Sequence, residues 1–342
     1  MKNLILTMIT LCSMSVKVFA DNQTATLQQG NIMTPFYGAD ALIQAYEAAQ
    51  DGAVITLSSG QFNDVATVSK QITIIGAYAF NNAESERTIL KSITVNANNV
   101  KIEGIYFSGI LSIGKAENFH IKRSWIRSLY STNSHTNTLV DQCVVESDKA
   151  IANGINYHIR NSTIEAFRAM NTPENIAHIE NCVIWKYNYN NMYDEHITQP
   201  YAIYLHNVLC GFLCINFLYH HVTMSFSAPY EFYYNLFLNT TDYESTDYGF
   251  SASFDYTCAN EGNVTGKNYK YYYDKKDRFS YPASDMKEGC IVMGIDDKPI
   301  GIKGGRGFSE YPAIPRIISK TIDKKTNEEG KINVNIIVKA EQ

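Results

Sequence analysis

The segment Trp185-Lys-Tyr-Asn-Tyr-Asn-Asn-Met-Tyr-Asp-Glu-His196 sets one tryptophan and three tyrosines among three asparagines and two acids. Aromatic faces suit the C–H surfaces of sugars, while amides and carboxylates bond hydroxyl groups. Trp185, Tyr187, Tyr189, Tyr193 and Asp194 are therefore the candidate ligand-binding residues, and a polysaccharide or other glycan is the ligand they suit. Asp194, Glu195 and His196 are the candidates for acid–base work if the chain is an enzyme. The competing reading is a tyrosine-rich loop that only packs on its scaffold.

That scaffold is a repeat. Asn99-Val-Lys-Ile-Glu-Gly-Ile-Tyr-Phe107, Asn118-Phe-His-Ile-Lys-Arg-Ser-Trp-Ile126, Asn137-Thr-Leu-Val-Asp-Gln-Cys-Val-Val145 and Asn156-Tyr-His-Ile-Arg-Asn-Ser-Thr-Ile164 follow one another at 19-residue intervals. A fifth copy, Ile176-Ala-His-Ile-Glu-Asn-Cys-Val-Ile184, comes one residue late. A fixed period of about 20 residues marks a stacked solenoid. The apolar columns are Ile102, Ile121, Val140, Ile159, Ile179 and Phe107, Ile126, Val145, Ile164, Ile184, with small or medium residues at Ile105, Ser124, Cys143, Ser162 and Cys182. β-branched residues dominate, and the apolar spacing of two, three and two reads as strand, turn, strand. The Leu-x-x-Leu-x-Leu signature of a leucine-rich repeat is missing.

A polar pair falls at each turn, and its first member alternates in sign: Glu103, Lys122, Asp141, Arg160, Glu180. Coils stacked about 4.8 Å apart would set each charge between opposite ones. The three acids of this column are flanked by bases and so read as a neutralised ladder rather than a metal site. His120, His158 and His178 share a column interrupted by Leu139, and stacked imidazoles could bind a metal or act as bases. A solvated surface column is the simpler reading. Cys210-x3-Cys214 with His220 and His221 has zinc-like types, but its apolar surroundings favour a buried coil. Cys143 and Cys182 lie two coils apart, beyond disulfide reach. Cys258 and Cys290 are left as the pair that could form a disulfide.

The chain has 342 residues, net charge −5 and 45% hydrophobic residues. This near-neutral balance argues against a nucleic-acid surface. Met1–Ala20 reads as a secretory signal: Lys2, an apolar run, and Val18-Phe19-Ala20 before the cleavage point. The run is too short to span a membrane, and no later stretch could. Leu11 before Cys12 argues against lipidation. The expected destination is secreted, periplasmic or cell-surface, as a monomer. Residues 21–38 are polar and read as loose. Asp40 reads as the N-cap of a helix near 40–51 that covers the end of the stack. Residues 39–305 form the solenoid, with Tyr201–Leu209 and Tyr219–Met224 as further coils and an insertion near 240–290. Residues 306–342 form a C-terminal β extension ending in Lys331–Lys339.

Asp51-Gly-Ala-Val-Ile-Thr-Leu-Ser-Ser-Gly60 and Lys70-Gln-Ile-Thr-Ile-Ile-Gly76 resemble the opening coils of right-handed parallel β-helix proteins, the pectin-lyase-like group. Ile291–Gly305 looks like the closing segment of exported β-helix proteins of Bacteroidales-type gut bacteria, and the tail resembles theirs too. The resemblance implies an all-β, single-stranded right-handed parallel β-helix with an N-terminal capping helix. It implies Ca²⁺ as a cofactor only if the chain is lyase-like; the residues by themselves point to no cofactor. Polygalacturonase-like relatives carry Asn-Thr-Asp, Asp-Asp, Gly-His-Gly and Arg-Ile-Lys motifs, and only Asp296-Asp297 echoes them. The reading is an exported glycan-binding surface protein. A polysaccharide lyase or glycoside hydrolase, and an adhesin-like structural protein, are its alternatives.

Overall fold

The computed structural model describes residues 23–80, 87–131, 135–149, 154–167, 177–187, 202–211, 221–226, 231–239, 249–254, 259–268, 293–302, 304–309, 316–322, 331–332 and 334–339. Two long sheets meet at a bend in every coil. The first stacks Val54–Leu57, Thr73–Ile75, Lys101–Glu103, His120–Lys122, Leu139–Asp141, His158–Arg160, Ala177–Glu180, Ala202–Leu205, Glu231–Tyr233 and Ala259–Glu261 in parallel. The second stacks Gly60–Gln61, Thr88–Leu90, Tyr106–Ile113, Trp125–Ser131, Val144–Lys149, Thr163–Phe167, Val183–Tyr187, Val208–Gly211, Leu236–Asn239 and Val264–Asn268. The fold is a parallel β-helix.

The register is the one that the sequence columns require. Ile102 pairs with Ile121, Ile121 with Val140, Val140 with Ile159 and Ile159 with Ile179. None of these side chains is more than 1% exposed, and the column from Phe107 to Ile184 is fully buried. Tyr204 and Phe232 extend the first column, with rings stacked 4.8 Å apart. Burying one such side chain contributes about 1.5–3 kcal/mol, against about 0–1 kcal/mol for an exposed ion pair. Burial therefore supplies the stability, and the charge ladder beside it selects the register.

The second residue of each polar pair turns the chain. Gly104, Arg123, Gln142, Asn161, Asn181, His206, Tyr234 and Gly262 all have positive φ, from 45° to 70°. A left-handed residue leaves nearby backbone groups inside the core without strand partners, and polar inward residues pair them; after Gly104 the inward residue is apolar Ile105, and Ser124 of the next coil serves instead. Ser124 Oγ donates to the Lys122 carbonyl (2.8 Å) and accepts the Ile105 N–H (3.3 Å). Ser162 does the same for Arg160 and Cys143. Asn207, Asn235 and Asn263 continue the position. Asn235 Nδ2 donates to the Tyr204 carbonyl (2.9 Å), and its Oδ1 accepts the Asn207 N–H (2.9 Å). A second ladder runs outside. Asn99, Asn118, Asn137 and Asn156 also have positive φ, and each of the last three donates from Nδ2 to the Oδ1 of the one before.

Cys143 and Cys182 sit inside this bend column, buried and free. Burial pushes the Cys143 thiol up to about 12 and raises Cys182 as well. Cys258 and Cys290 lie outside the described residues.

Three expectations change. Residues 21–38 are not loose: Thr24–Gln29 and Ile32–Tyr37 form an antiparallel hairpin, and the first strand pairs antiparallel with Val54–Leu57. Ala25 and Leu27 alternate inward, and Gly30 turns the chain at φ +57°. Of Tyr219–Met224, the described part from His221 does not supply a coil of the main sheets. His221–Phe226 instead pairs in parallel with Gly249–Phe254 in a separate sheet. Nor is 240–290 wholly an insertion, because Ala259–Glu261 and Val264–Asn268 form a further coil. The capping helix spans Ala41–Ala48 and buries Ala41, Leu42 and Ala45 in the solenoid core. Asp40 is its N-cap residue, with its carbonyl accepting from Gln44 N–H, but its side chain makes no capping bond and Oδ1 accepts from Asn63 Nδ2 at 2.7 Å. No helix among the described residues is long and apolar enough to cross a membrane.

Residues 293–302 and 304–309 form a strap along the bends, running back against the order of the coils. Gly301 N–H donates to His206 O (2.7 Å), Asn161 Nδ2 to Gly304 O (2.6 Å) and Gln142 Nε2 to Gly307 O (3.1 Å). Phe308 then meets Phe80 edge-on at 5.4 Å. Any side chain at Gly304 would drive its Cβ into Asn181 Oδ1.

Replacing Asn235 with leucine keeps the volume but leaves the Asn207 N–H and the Tyr204 carbonyl unpaired. The unfolding free energy should fall by about 2–4 kcal/mol, read from urea denaturation. An unchanged midpoint would remove this position from the account.

Candidate functional site

The strand Val183–Tyr187 carries the start of the aromatic segment. Ile184 pairs with Ile164, Ile164 with Val145 and Val145 with Ile126, all inside. One residue further along these strands stand Trp185, Glu165, Glu146 and Arg127. They share one row of the backbone register, one position beyond the buried column. Arg127 is exposed and Glu146 half-buried. Trp185 and Tyr187 are thus placed by backbone register at the end of a strand. Tyr189, Tyr193, Asp194, Glu195 and His196 lie outside the described residues, as does the rest of their loop.

Beside that row is an aromatic cluster that sequence reasoning missed. Tyr106 and Trp125, on consecutive coils, meet edge-on at 5.9 Å. The Arg87 guanidinium lies 4.6 Å from the Tyr106 ring centre and 5.1 Å from that of Trp125, within cation–π range. Trp125 Nε1–H donates to Glu146 Oε1 at 2.9 Å. Phe80 and Phe308 close the cluster, so Trp125 is only 9% exposed. It is a rigid platform rather than an open pocket. Exposed Ile110 and Tyr130 lie further along the strands of the same sheet. The available signal was two successive aromatics, Tyr106 and Trp125, just before the buried second column.

At Asp141 the charge ladder is paired as its alternation requires, whereas Glu103 turns to Arg123 at the bend. Asp141, 3% exposed, takes Arg160 at 2.9 Å and Lys122 at 3.9 Å. Glu103 takes Arg123 at 2.7 Å, and Arg123 Nε–H donates to Gln142 Oε1 at 2.8 Å. These carboxylates are engaged in holding the bends.

His120, Leu139, His158 and His178 pair across adjacent strands. The His158 and His178 rings stack at 4.6 Å and 8°. Asn156 donates its amide to Asn137, which leaves its Oδ1 to accept from His158 Nε2–H at 2.6 Å. Nε2 therefore carries the hydrogen of this bond. Burial, then His178, then Arg160 lower the His158 pKa, against an opposing pull from Glu180. Burial also lowers His120, aided by Lys122, Lys101 and Arg160.

A histidine–aspartate pair joins the strap to a bend. His206 Nε2 and Asp296 Oδ2 are 2.8 Å apart, with Lys298 Nζ 3.5 Å from the same oxygen. The His206 ring stacks on Tyr234 at 5.3 Å. Burial acts to raise the Asp296 carboxyl, but the His206 hydrogen bond and charge, with Lys298, outweigh it and hold the pKa below its ordinary value. His206 is 2% exposed, so the pair fastens the strap rather than facing a substrate. Asp297 is exposed at φ +59°, so Asp296-Asp297 is a turn, not a pair of converging acids. Cys210 stands on the strand Val208–Gly211, opposite Leu238. The side chains of Cys210 and His221, and all of Cys214 and His220, lie outside the described part.

The two lowered histidines bind protons less readily folded than unfolded. Their stabilisation is therefore complete above the ordinary value of 6.5 and is lost as pH falls below it. Urea midpoints should drop between about pH 7 and pH 5, and His158→Gln should reduce that drop. An identical slope in the variant would contradict this assignment.

Comparison with known proteins finds no matching family model, no matching curated protein and no matching solved structure.

Proposed function

We propose that this chain is an exported β-helix surface protein of the pectin-lyase-like type, and that it binds a glycan along the outer face of its second sheet. One observation supports the reading: the backbone register sets Trp185 in the same row as Glu165, half-buried Glu146 and exposed Arg127, and that row begins beside the Tyr106–Trp125 platform three coils away. Aromatic, carboxylate and guanidinium groups along one face form the donor set that pyranose rings and their hydroxyl or carboxylate substituents require. Coils repeating at about 4.8 Å offer an extended rather than a pocketed surface, which suits a chain-like ligand. Tyr187, Tyr189, Tyr193 and Asp194 would add contacts from the loop. The Met1–Ala20 segment supports export. Glu103, Asp141 and Asp296 are committed to ion pairs, so binding is favoured over lyase or hydrolase chemistry.

The test is a glycan array probed with the chain from Asp21 onward, compared with Trp185→Ala/Tyr189→Ala. Loss of two aromatic platforms should weaken binding at least about tenfold, roughly 1.4 kcal/mol or more. Equal binding by both proteins would remove this surface. Release of an unsaturated, ultraviolet-absorbing product from uronic polysaccharides would replace binding with lyase action.

A further inference from the structure

The outer face of the first sheet carries two imidazoles that neither the bends nor the strap uses. His158 and His178 lie directly opposite each other on adjacent strands. Alternation along these strands turns both away from the core, between buried Tyr157 and Ile159 and between buried Ala177 and Ile179. Each is half-buried, and the two rings are nearly parallel.

The asparagine ladder decides which nitrogen of His158 is available. Asn99 Nδ2 donates to Gln71 Oε1, Asn118 to Asn99, Asn137 to Asn118 and Asn156 to Asn137. Every amide points the same way, so the last oxygen, Asn156 Oδ1, has no ladder amide to accept from and takes His158 Nε2–H. In the neutral ring the lone pair then lies on Nδ1, and no described residue donates to it. A metal-ligating histidine is held in this manner, with its second nitrogen donating to a carbonyl, a carboxylate or water. Asn156 supplies the carbonyl oxygen.

His178 has no such tether. Ile176 stands at the repeat position that Asn156 fills one coil earlier. The His178 ring makes no hydrogen bond with a described residue, so both of its nitrogens are open.

The surroundings tolerate a cation. Arg160 is bound to Asp141 at 2.9 Å, and the exposed carboxylate of Glu180 shares the face two residues beyond His178. Burial, then His178 and Arg160, lower the His158 pKa, which keeps its ring neutral at neutral pH, as a ligand must be. Imidazole nitrogens suit zinc, copper and nickel. Zn–N bonds of about 2.0–2.1 Å require the two donor atoms to stand closer than the 4.6 Å between the ring centres, and untethered His178 is the ring that turns. Among the described residues no three histidine, cysteine or acidic side chains converge on one point, so water completes the coordination.

We propose that His158 Nδ1 and a ring nitrogen of His178 together bind one divalent transition-metal ion of the zinc type on the outer face of the first sheet. This replaces the solvated-surface reading of the pair. It does not rest on glycan binding, which is assigned to the second sheet.

Calorimetric titration of the chain from Asp21 onward with Zn²⁺ alone, in neutral buffer free of chelators, tests it. A binding event should appear that His158→Gln and His178→Gln each weaken at least about tenfold. His120→Gln, two coils away, should leave it unchanged. Circular dichroism should show the solenoid intact in all three variants. In spectra of ¹⁵N-labelled histidine, Zn²⁺ should move the Nδ1 signal of His158 while its Nε2 keeps its proton. A wild-type chain that takes up no Zn²⁺ would overturn the inference. So would equal affinity in both glutamine variants, as a site at Cys210, Cys214, His220 and His221 would give, or an ion bound through His158 Nε2.

Discussion

A stacked coil must turn a corner without leaving peptide groups bare in its core, and the structure depends on how that is solved. The left-handed residue at each bend breaks the ladder locally. The inward residue after it accepts an N–H from the coil before; a serine donates its hydrogen to a carbonyl of its own coil, an asparagine to a carbonyl of the coil before. Serines do this between Ile105 and Ser162, and asparagines do it from Asn207 to Asn263. A left-handed non-glycine residue costs about 1–2 kcal/mol, and a satisfied buried pair of polar groups returns a similar amount. The bend is therefore affordable only where the next coil is in register.

The same bends provide a handle for the rest of the chain. A left-handed side chain projects from the corner, and Gln142, Asn161 and His206 use theirs to hold the strap. The strap in turn brings Phe308 onto Phe80 and closes the platform of Tyr106, Trp125 and Arg87 beside the outer face. Fold and candidate surface are thus linked through backbone turns and not through a cavity.

The sequence shows the coils from Asn99 to Ile184 because their lengths are equal, so identical chemistry recurs at identical spacing. After Cys182 the interval grows to 25 and then 28 residues, and a fixed-period reading fails. What persists is local: His206-Asn-Val, Tyr234-Asn-Leu and Gly262-Asn-Val each place a left-handed residue, an inward asparagine and an apolar residue in order. The opening hairpin was hidden by its glutamines and threonines, although the Ala25–Leu27 alternation and the Gly30-Asn31 turn were visible. Trp185 could be placed from its column. The Trp125 platform could not, because Phe308 reaches it from a distant part of the chain. The His206–Asp296 clasp, 90 residues apart, was equally invisible.

The register beyond Cys182 separates this account most sharply from a simple 19-residue repeat. Leu205 pairs with Tyr233 across adjacent coils, whereas Met224 pairs with Ala252 in another sheet. Adjacent strands hold Cα atoms within disulfide range. Oxidation of a Leu205→Cys/Tyr233→Cys variant, followed by peptide mapping, should find those two residues joined, while Leu205→Cys/Met224→Cys should stay reduced. A bond in the second variant and none in the first would contradict the stacking described here.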